Sequence, residues 1–178
     1  MSYLLPVRGR APRLGEGCRV MPTAVLTGDV VAGRGCTFWF HAVVRGDVNA
    51  VRLGDQVNVQ DGAVLHGTYE RASLAVGDRV SIGHRAIVHG CTLHDDVLVG
   101  MGAIVMDHAV VESRCLIAAG AVVTQGTTCE TGWIYAGTPA KPLKRLSEET
   151  FAGEVQRIAR AYGMYAGWYG DLAGVPRG

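Results

Sequence analysis

A six-residue repeat in the middle of the chain constrains the fold more than any other feature. From Leu93, an aliphatic residue recurs at every sixth position up to Val123. A small or compact residue follows four positions after each of them, from Val97 to Thr127. A period of six matches neither the helical period of 3.6 residues nor the two-residue period of a single strand. The chain therefore needs a fold that returns to its interior at every sixth residue.

A coil of short strands around a triangular prism meets this requirement. Each aliphatic side chain fills the interior near a corner. Three hexads, which together contain 18 residues, complete one coil. Successive coils then stack at the inter-strand spacing of about 4.8 Å. Glycine supplies 25 of the 178 residues, about twice the usual share, and eases the many turns. The chain resembles the hexapeptide-repeat proteins, which implies an all-β, left-handed parallel β-helix over residues 1–146.

The hexad register continues upstream, with interruptions that set the phase of each coil. One residue is missing between Val88 and Leu93. Three residues are extra around 50–52, and five are extra around 68–73. The start of the register before Ala32 is loose. The upstream interior positions are Val76, Ile82 and Val88, then Leu53, Val59 and Leu65, then Ala32, Phe38 and Val44.

The C-terminal segment has a helical pattern. Glycine and proline at 137–142 punctuate the end of the coil, and Ser147 can cap a helix with acidic residues in its first turn. Apolar residues then recur at spacings of three and four, which predicts a helix within 147–178 that packs on the β-helix or on a neighbouring subunit. This apolar face consists of Phe151, Val155, Ile158, Tyr162, Tyr165 and Tyr169.

Composition excludes several classes of function. The 17 basic and 16 acidic residues nearly cancel, which argues against binding to nucleic acid or to a membrane surface. Residues 1–13 are not a signal peptide, and no stretch approaches the roughly 20 apolar residues of a membrane span. The five cysteines have no metal-binding spacing. We expect buried, reduced thiols in a cytoplasmic protein.

Three of the six histidines are related by the hexad register. His66 and His89 both occupy the second position of their hexads, one coil apart, so they stand in one column and can share a metal. Arg45 lies in the same column one coil earlier. His84 occupies a third position on another side of the prism, with Asp61 one coil below it. The remaining histidines, at 41, 94 and 108, are expected to be surface or packing residues.

The register predicts a metal site shared between subunits. His84 cannot easily reach a metal held by His66 and His89 of its own chain, but it could reach that of a neighbour around a threefold axis. An isolated monomer would then hold no complete site. Three imidazoles leave a fourth position open, as in catalytic zinc sites that supply hydroxide near neutral pH. Zn²⁺ is the expected metal, and Fe²⁺ or Co²⁺ would also suit these ligands.

The motifs around these histidines resemble those of the γ-class carbonic anhydrases from about Pro22 to Pro142. The resemblance implies a homotrimer that hydrates carbon dioxide to bicarbonate, with His66 and His89 of one subunit and His84 of the next as metal ligands. The matching segments are Val44-Arg45-Gly46-Asp47, Val59-Gln60-Asp61-Gly62, Leu65-His66-Gly67 and Ile82-Gly83-His84, followed by His89-Gly90-Cys91.

The same resemblance assigns roles to the polar residues of these motifs. It implies that Gln60 hydrogen-bonds the metal-bound water or the bicarbonate. The Arg45–Asp47 pair and Asp61 would hold the subunit interface and orient the ligands. Tyr162 on the terminal helix is a candidate to approach the site.

The chain departs from the family pattern at the step that releases a proton. The prototype enzymes carry glutamates at two places that here hold Val48 and Tyr69. Tyr162 is a poor relay at neutral pH, because a tyrosine has a pKa near 10. Hydration is therefore expected to be slow or buffer-dependent, or not to be the physiological activity.

Other functions remain open. A related metal-dependent thioesterase acting on acyl-CoA would use the same activated water on a thioester carbonyl. A catalytically weak scaffold could retain the metal for structure. Hexapeptide acyltransferases share the fold but typically use one histidine as a base and need no set of three.

Overall fold

A computed structural model describes residues 3–170, and short strands fill most of them. In chain order the strands are β1 (Tyr3–Leu5), β2 (Arg13–Leu14), β3 (Arg19–Val20), β4 (Val25–Ala32), β5 (Thr37–Phe38), β6 (Val43–Leu53), β7 (Asn58–Val59), β8 (Val64–His66), β9 (Leu74–Val76), β10 (Ser81–Ile82), β11 (Ile87–His89), β12 (Thr92–Leu93), β13 (Leu98–Val99), β14 (Ile104–Val105), β15 (Val110–Val111), β16 (Leu116–Ile117), β17 (Val122–Val123), β18 (Thr128–Cys129), β19 (Trp133–Ala136) and β20 (Lys141–Arg145).

The strands stack into three faces. The first face consists of β8, β11, β14 and β17, and the second of β9, β12, β15 and β18. The long strand β6 joins them, since its first half pairs with β8 and its second half with β9. The third face is a separate sheet in the order β20-β19-β16-β13-β10-β7-β5-β3. All of these pairings are parallel except that of β19 with β20. Three stacked faces form the triangular prism that the repeat predicts.

The interior columns follow the predicted hexad register. Every interior side chain in three aligned columns is at most 5% exposed. The interruptions in the sequence leave these columns intact: the extra residues near 50–52 lengthen β6, and those near 68–73 form a loop. The columns are Val44-Leu65-Val88-Val105-Val123, Leu53-Val76-Leu93-Val111-Cys129 and Val59-Ile82-Val99-Ile117-Tyr135. The predicted all-β class and the parallel β-helix of hexapeptide repeats are confirmed.

Several corners use polar residues rather than glycine. Arg85, Asp96 and His108 adopt left-handed backbone conformations, with φ of 57°, 57° and 60°. Such φ values strain most residues, although Asn, Asp and His tolerate them better than bulky or β-branched ones. His41 and His108 lie at such corners and, like His94, are exposed. The glycine surplus therefore explains only some of the turns.

The C-terminal helix begins where the sequence predicts. The Ser147 hydroxyl accepts a hydrogen bond from the Thr150 N–H at 3.1 Å, which caps the first turn. An α-helical turn α1 (Glu148–Thr150) leads into a π-helical segment (Phe151–Gln156) and then into the α-helix α2 (Arg157–Gly167). The spacing of three and four does not predict the π-helical segment. The part of the predicted helix at 171–178 lies outside the described residues.

The helical segment packs on its own prism. Phe151 and Val155 bury themselves against Leu98, on the outer side of the third face. Further along, an aromatic cluster joins α2 to the corner next to this face. This cluster contains Met21, Trp39, Phe40, Tyr162, Tyr165, Ala166 and Tyr169. Across residues 3–170, no helix is both long and apolar enough to cross a membrane.

The interior columns predict a large cost for truncation. Ile117 is fully buried, so Ile117→Ala should destabilise the chain by about 2–5 kcal/mol and Ile117→Val by about 0.5–1.5 kcal/mol. Leu143 on β20 is 63% exposed, so Leu143→Ala should change the free energy of unfolding by less than about 0.5 kcal/mol. Denaturant titration of the metal-free protein measures all three. Equal costs for Ile117→Ala and Leu143→Ala would contradict the assigned interior.

Candidate metal centre

Two imidazoles meet on the first face. His66 ends β8, His89 ends β11, and the two residues are aligned partners in the parallel ladder. Their nitrogens His66 Nδ1 and His89 Nε2 lie 3.1 Å apart. This contact confirms the predicted column, in which residues 23 positions apart in sequence come together.

A carboxylate holds each ring from its other nitrogen. Asp47 Oδ1 lies 3.1 Å from His66 Nε2, and Asp107 Oδ1 lies 2.5 Å from His89 Nδ1. An ionised carboxylate only accepts hydrogen bonds, so both of these ring nitrogens carry the proton. In the neutral form of each ring, the opposite nitrogens, His66 Nδ1 and His89 Nε2, are then the ones that hold lone pairs. The guanidinium of Arg45, which can only donate, lies 3.3 Å from His66 Nδ1 and fits this assignment.

Burial favours the neutral form of His66. Burial lowers the pKa of His66 below its usual value; the hydrogen bond to Asp47 opposes this shift and the charge of Arg45 adds to it. Burial alone would raise the pKa of Asp47, but hydrogen bonds from Arg45 and His66 outweigh it and leave that pKa below its usual value. The Arg45–Asp47 ion pair measures 2.6 Å. A neutral imidazole beside an ionised carboxylate is the state that a metal ligand requires.

Sequence reasoning missed Asp107. It lies in the turn after β14, one coil beyond Gly90, and its side chain contacts the ring of His89. Burial would raise the pKa of Asp107, but hydrogen bonds from Thr68 and His89 outweigh it and lower that pKa. The hexad count could have placed Asp107 near His89, because Val105 pairs with Val88 and residue 107 therefore lies beside residue 90.

His84 lies on the other sheet. It follows β10 on the third face, and its Nδ1 lies 2.9 Å from Asp61 Oδ2, as their predicted stacking requires. The hydroxyl of Tyr162 lies 3.0 Å from His84 Nε2. In the neutral form of His84, with the Nδ1 proton donated to the Asp61 carboxylate, Nε2 holds the lone pair to which Tyr162 donates. Burial, with the negative charge of Asp61 and a smaller effect of Tyr165, raises the pKa of Tyr162 to about 12, so this donor keeps its proton.

Gln60 is buried on the same side of the molecule as His84. Its side chain is 4% exposed, and its amide donates to Asn58 Oδ1 at 3.0 Å. Asn58 in turn donates to the Ser81 hydroxyl at 2.7 Å. Within the described chain, Gln60 makes no hydrogen bond to His66 or His89.

One chain thus holds the predicted residues in two separate groups. Arg45 and Asp47 surround the His66–His89 pair, while Gln60, Asp61 and Tyr162 lie with His84. Among residues 3–170, no three His, Cys, Asp or Glu side chains converge as a metal-binding set. Val48 and Tyr69 stand where the prototype enzymes carry glutamates. Both line a cavity of about 320 Å³, which Asp47 and Glu70 also line.

The paired imidazoles fit a bound metal ion. Two nitrogens that bind one tetrahedral zinc at 2.0–2.1 Å lie about 3.3–3.4 Å apart, close to the 3.1 Å between His66 Nδ1 and His89 Nε2. With both rings neutral, both nitrogens hold lone pairs, so no hydrogen lies between them and the two lone pairs repel each other. A cation between them resolves this repulsion. Neutral imidazole suits Zn²⁺, Co²⁺ and Fe²⁺ alike.

The coil defines the class as a hexapeptide-repeat β-helix protein, and this one carries a pair of facing imidazoles on its first face. The family described as "Bacterial transferase hexapeptide (six repeats)" matches residues 90–125. A carbonic anhydrase of Geobacillus kaustophilus is 33% identical over 159 residues, which cover 89% of this chain and 86% of that protein. The chain belongs to the γ-class carbonic anhydrase family.

Three further matches show how far the similarity extends. Gamma carbonic anhydrase 1, mitochondrial, of Arabidopsis thaliana is 40% identical over 154 residues, which cover 84% of this chain. The chain spans 56% of the length of that plant relative and 54% of a second one. A crystal structure of a putative acetyltransferase from Bacillus cereus superimposes with a TM-score of 0.91 and 32% identity, covering 96% of this chain and 98% of that one.

The hydroxyl of Tyr162 occupies the lone pair that His84 would offer to a metal. Tyr162→Phe keeps the ring packed on Trp39, 5.1 Å away, but removes a hydrogen bond of about 0.5–1.5 kcal/mol. We expect it to tighten Zn²⁺ or Co²⁺ binding by about 2- to 10-fold in a chelator competition titration. Tyr165→Phe, in the same aromatic cluster, is the control and should leave the affinity unchanged. Equal metal affinity of Tyr162→Phe and wild type would contradict the expected competition between the Tyr162 hydroxyl and the metal for His84 Nε2.

Proposed function

We propose that this protein is a metal-dependent carbonic anhydrase that converts carbon dioxide and water reversibly into bicarbonate and a proton. The observation that carries the proposal is the pair of facing ring nitrogens of His66 and His89, each ring held by a carboxylate at its other nitrogen. Membership of the γ-class family supports the same reaction. Zinc is the proposed metal, and cobalt or ferrous iron would fit the same donors.

The proposed active unit is a homotrimer with the site at each subunit interface. Two imidazoles of one chain leave a metal incompletely coordinated. The family pattern supplies His84 of a neighbouring subunit as the third ligand, and Nε2 is the His84 nitrogen that does not face Asp61. The outer side of the first face also carries an apolar ladder beside His89: Val64, Ile87, Ile104 and Val122. Ile87 is 38% exposed in the single chain. A second copy of the chain that covers this ladder would bring its His84 towards the pair.

The protein's own residues prepare the site for this chemistry. When bound, the metal supplies Lewis-acid activation of water near neutral pH. Asp47 and Asp107 each accept a hydrogen bond from one imidazole and hold the two rings so that His66 Nδ1 and His89 Nε2 face each other. The guanidinium of Arg45, 3.3 Å from His66 Nδ1, places a positive charge where the bicarbonate anion forms. Gln60, held by Asn58, would orient water or bicarbonate from the side of the partner subunit.

Release of the proton is the weakest part of the proposed reaction. Val48 and Tyr69 provide no carboxylate, and Tyr162, with a pKa of about 12, remains protonated at neutral pH. Glu70 is the only acidic residue of the short loop at 68–73. We therefore propose that turnover depends on external buffer.

The proposed compartment is the cytoplasm. All five cysteines are buried and unpaired: Cys18, Cys36, Cys91, Cys115 and Cys129. Free thiols persist in reducing compartments, which supports this location. The plant relatives, in contrast, are described as mitochondrial.

Complementation between two inactive variants tests the shared site. His66→Ala removes the pair, and His84→Ala removes the proposed third ligand. Each homotrimer should lose hydration of carbon dioxide in stopped-flow assays. Co-expressed at equal levels, the two variants should regain about a quarter of wild-type activity, since three quarters of random trimers are mixed and each mixed trimer contains one complete site of three.

Two results would contradict this scheme. Recovery that stays at the level of the separate variants would exclude a site shared between subunits. Wild-type protein that hydrates no carbon dioxide with zinc, cobalt or anaerobic ferrous iron would overturn the proposed reaction. The same preparations assayed with acyl-CoA distinguish the thioesterase alternative, because thioester hydrolysis without hydration would favour it.

The apolar ladder predicts a separate test of assembly. Ile87→Asp places a charge in the proposed interface, so it should dissociate the trimer and lower the metal content per chain. Leu143→Asp, at a more exposed apolar position on β20, is the matched control and should remain trimeric. Light scattering with metal analysis measures both. An Ile87→Asp trimer with full metal content would show that the first face is not the interface.

A further inference from the structure

We propose that Asp107 is a positioning residue that fixes the ring orientation and the tautomer of His89 and thereby aims His89 Nε2 at His66. The inference rests on the proposed function only in taking the ligand to be a divalent metal ion. Neither the sequence motifs nor the family resemblance includes Asp107. The evidence for the positioning role is the set of contacts that the Asp107 carboxylate makes.

Both carboxylate oxygens of Asp107 are engaged. Oδ1 accepts from His89 Nδ1 at 2.5 Å, and Oδ2 accepts from the Thr68 hydroxyl at 2.5 Å. The carbonyl of Thr68 accepts from the Asn49 amide at 3.2 Å, which anchors the start of the loop at 68–73. The five extra residues in the hexad count therefore form a loop whose first residue holds the carboxylate against the imidazole.

Gly90 makes room for this contact. A Cβ atom at position 90 would lie 2.4 Å from Asp107 Oδ1 and 2.7 Å from the Cβ of Ala72. The backbone there also has φ of 52°, which glycine adopts freely. Any larger residue directly after His89 would push Asp107 away from the ring. The glycine thus permits the short contact between His89 and the next coil.

The hydrogen bond decides which nitrogen of His89 is available. Within the described chain, Asp107 is the only partner of His89 Nδ1. Without this acceptor, the proton can move to Nε2, and the ring can turn so that no lone pair faces His66. The other two histidines have the same arrangement, with Asp47 on His66 and Asp61 on His84. Each imidazole therefore has its own carboxylate.

A purely structural role for Asp107 is the alternative. Other aspartates in this fold stabilise corners without contacting a histidine. Asp95 Oδ1, for example, accepts the backbone N–H of Asp78 at 2.9 Å, one coil away. Asp95→Ala is therefore the matched control, since it removes a coil-to-coil hydrogen bond and leaves the imidazoles untouched.

The first measurement uses metal-free, full-length protein. Long-range ¹H–¹⁵N spectra of the imidazoles report the tautomer of each histidine, and His89→Gln assigns the signal of His89. Wild type and Asp95→Ala should show the proton on Nδ1 of His89. Asp107→Ala should shift the signal towards the Nε2-protonated form or a mixture of tautomers. This readout depends neither on catalysis nor on metal.

The second measurement is affinity for Zn²⁺ and Co²⁺ by chelator competition. Asp107→Ala should weaken binding by about 10- to 100-fold, as is typical when the partner of a metal-ligating histidine is lost. Asp107→Asn, which retains an acceptor oxygen, should lie between Asp107→Ala and wild type. If Asp107→Ala fails to fold, Thr68→Val frees one carboxylate oxygen and should weaken binding by about 2- to 5-fold.

An unchanged tautomer in Asp107→Ala, or an affinity within twofold of Asp95→Ala, would overturn the positioning role. If Asp107→Ala does not fold, an unchanged affinity of Thr68→Val would do the same. Failure of the proposed function gives a different result: wild-type protein would not hydrate carbon dioxide, while the tautomer and affinity differences between the variants would remain.

Discussion

In-register stacking of the coils is the constraint on which the rest of the structure depends. Leu65 and Val88 point inward because the interior column requires an aliphatic side chain at each level. Since side chains alternate between the two sides of a strand, the next residues, His66 and His89, must point outward. A slip of one residue would bury both imidazoles and expose the column. Packing of the interior therefore fixes the separation of the two rings.

Carboxylates convert this column of histidines into a potential metal centre. A stack of imidazoles alone could share a proton and bind nothing. Asp47 and Asp107 each accept a hydrogen bond from one ring N–H, so in the neutral rings the lone pairs of His66 Nδ1 and His89 Nε2 face each other across 3.1 Å. The electrostatic cost of opposed lone pairs is the physical reason why a cation fits there. Arg45 relieves part of this cost in the metal-free chain.

The terminal helix contacts a histidine of the proposed metal site. Tyr162 on α2 donates to His84 Nε2, so the single chain satisfies the nitrogen that the proposed trimer would use. The aromatic cluster around Trp39 holds this tyrosine in place. Proposed subunit assembly would exchange that hydrogen bond for a metal–nitrogen bond. The helix thus has a local role at the site as well as a packing role on the prism.

The hexad count alone determined the fold, the alignment of His66 with His89 and the stacking of His84 on Asp61, because parallel coils in register turn sequence positions into spatial columns. The count places Asp107 in the coil after His89. It does not predict that the Asp107 side chain contacts His89, 18 residues earlier. Nor does it predict the π-helical segment, or the contact of Tyr162 with a histidine 78 residues away. Only the tertiary structure decided these, because side-chain direction and helix docking depend on packing between elements whose separation no repeat fixes.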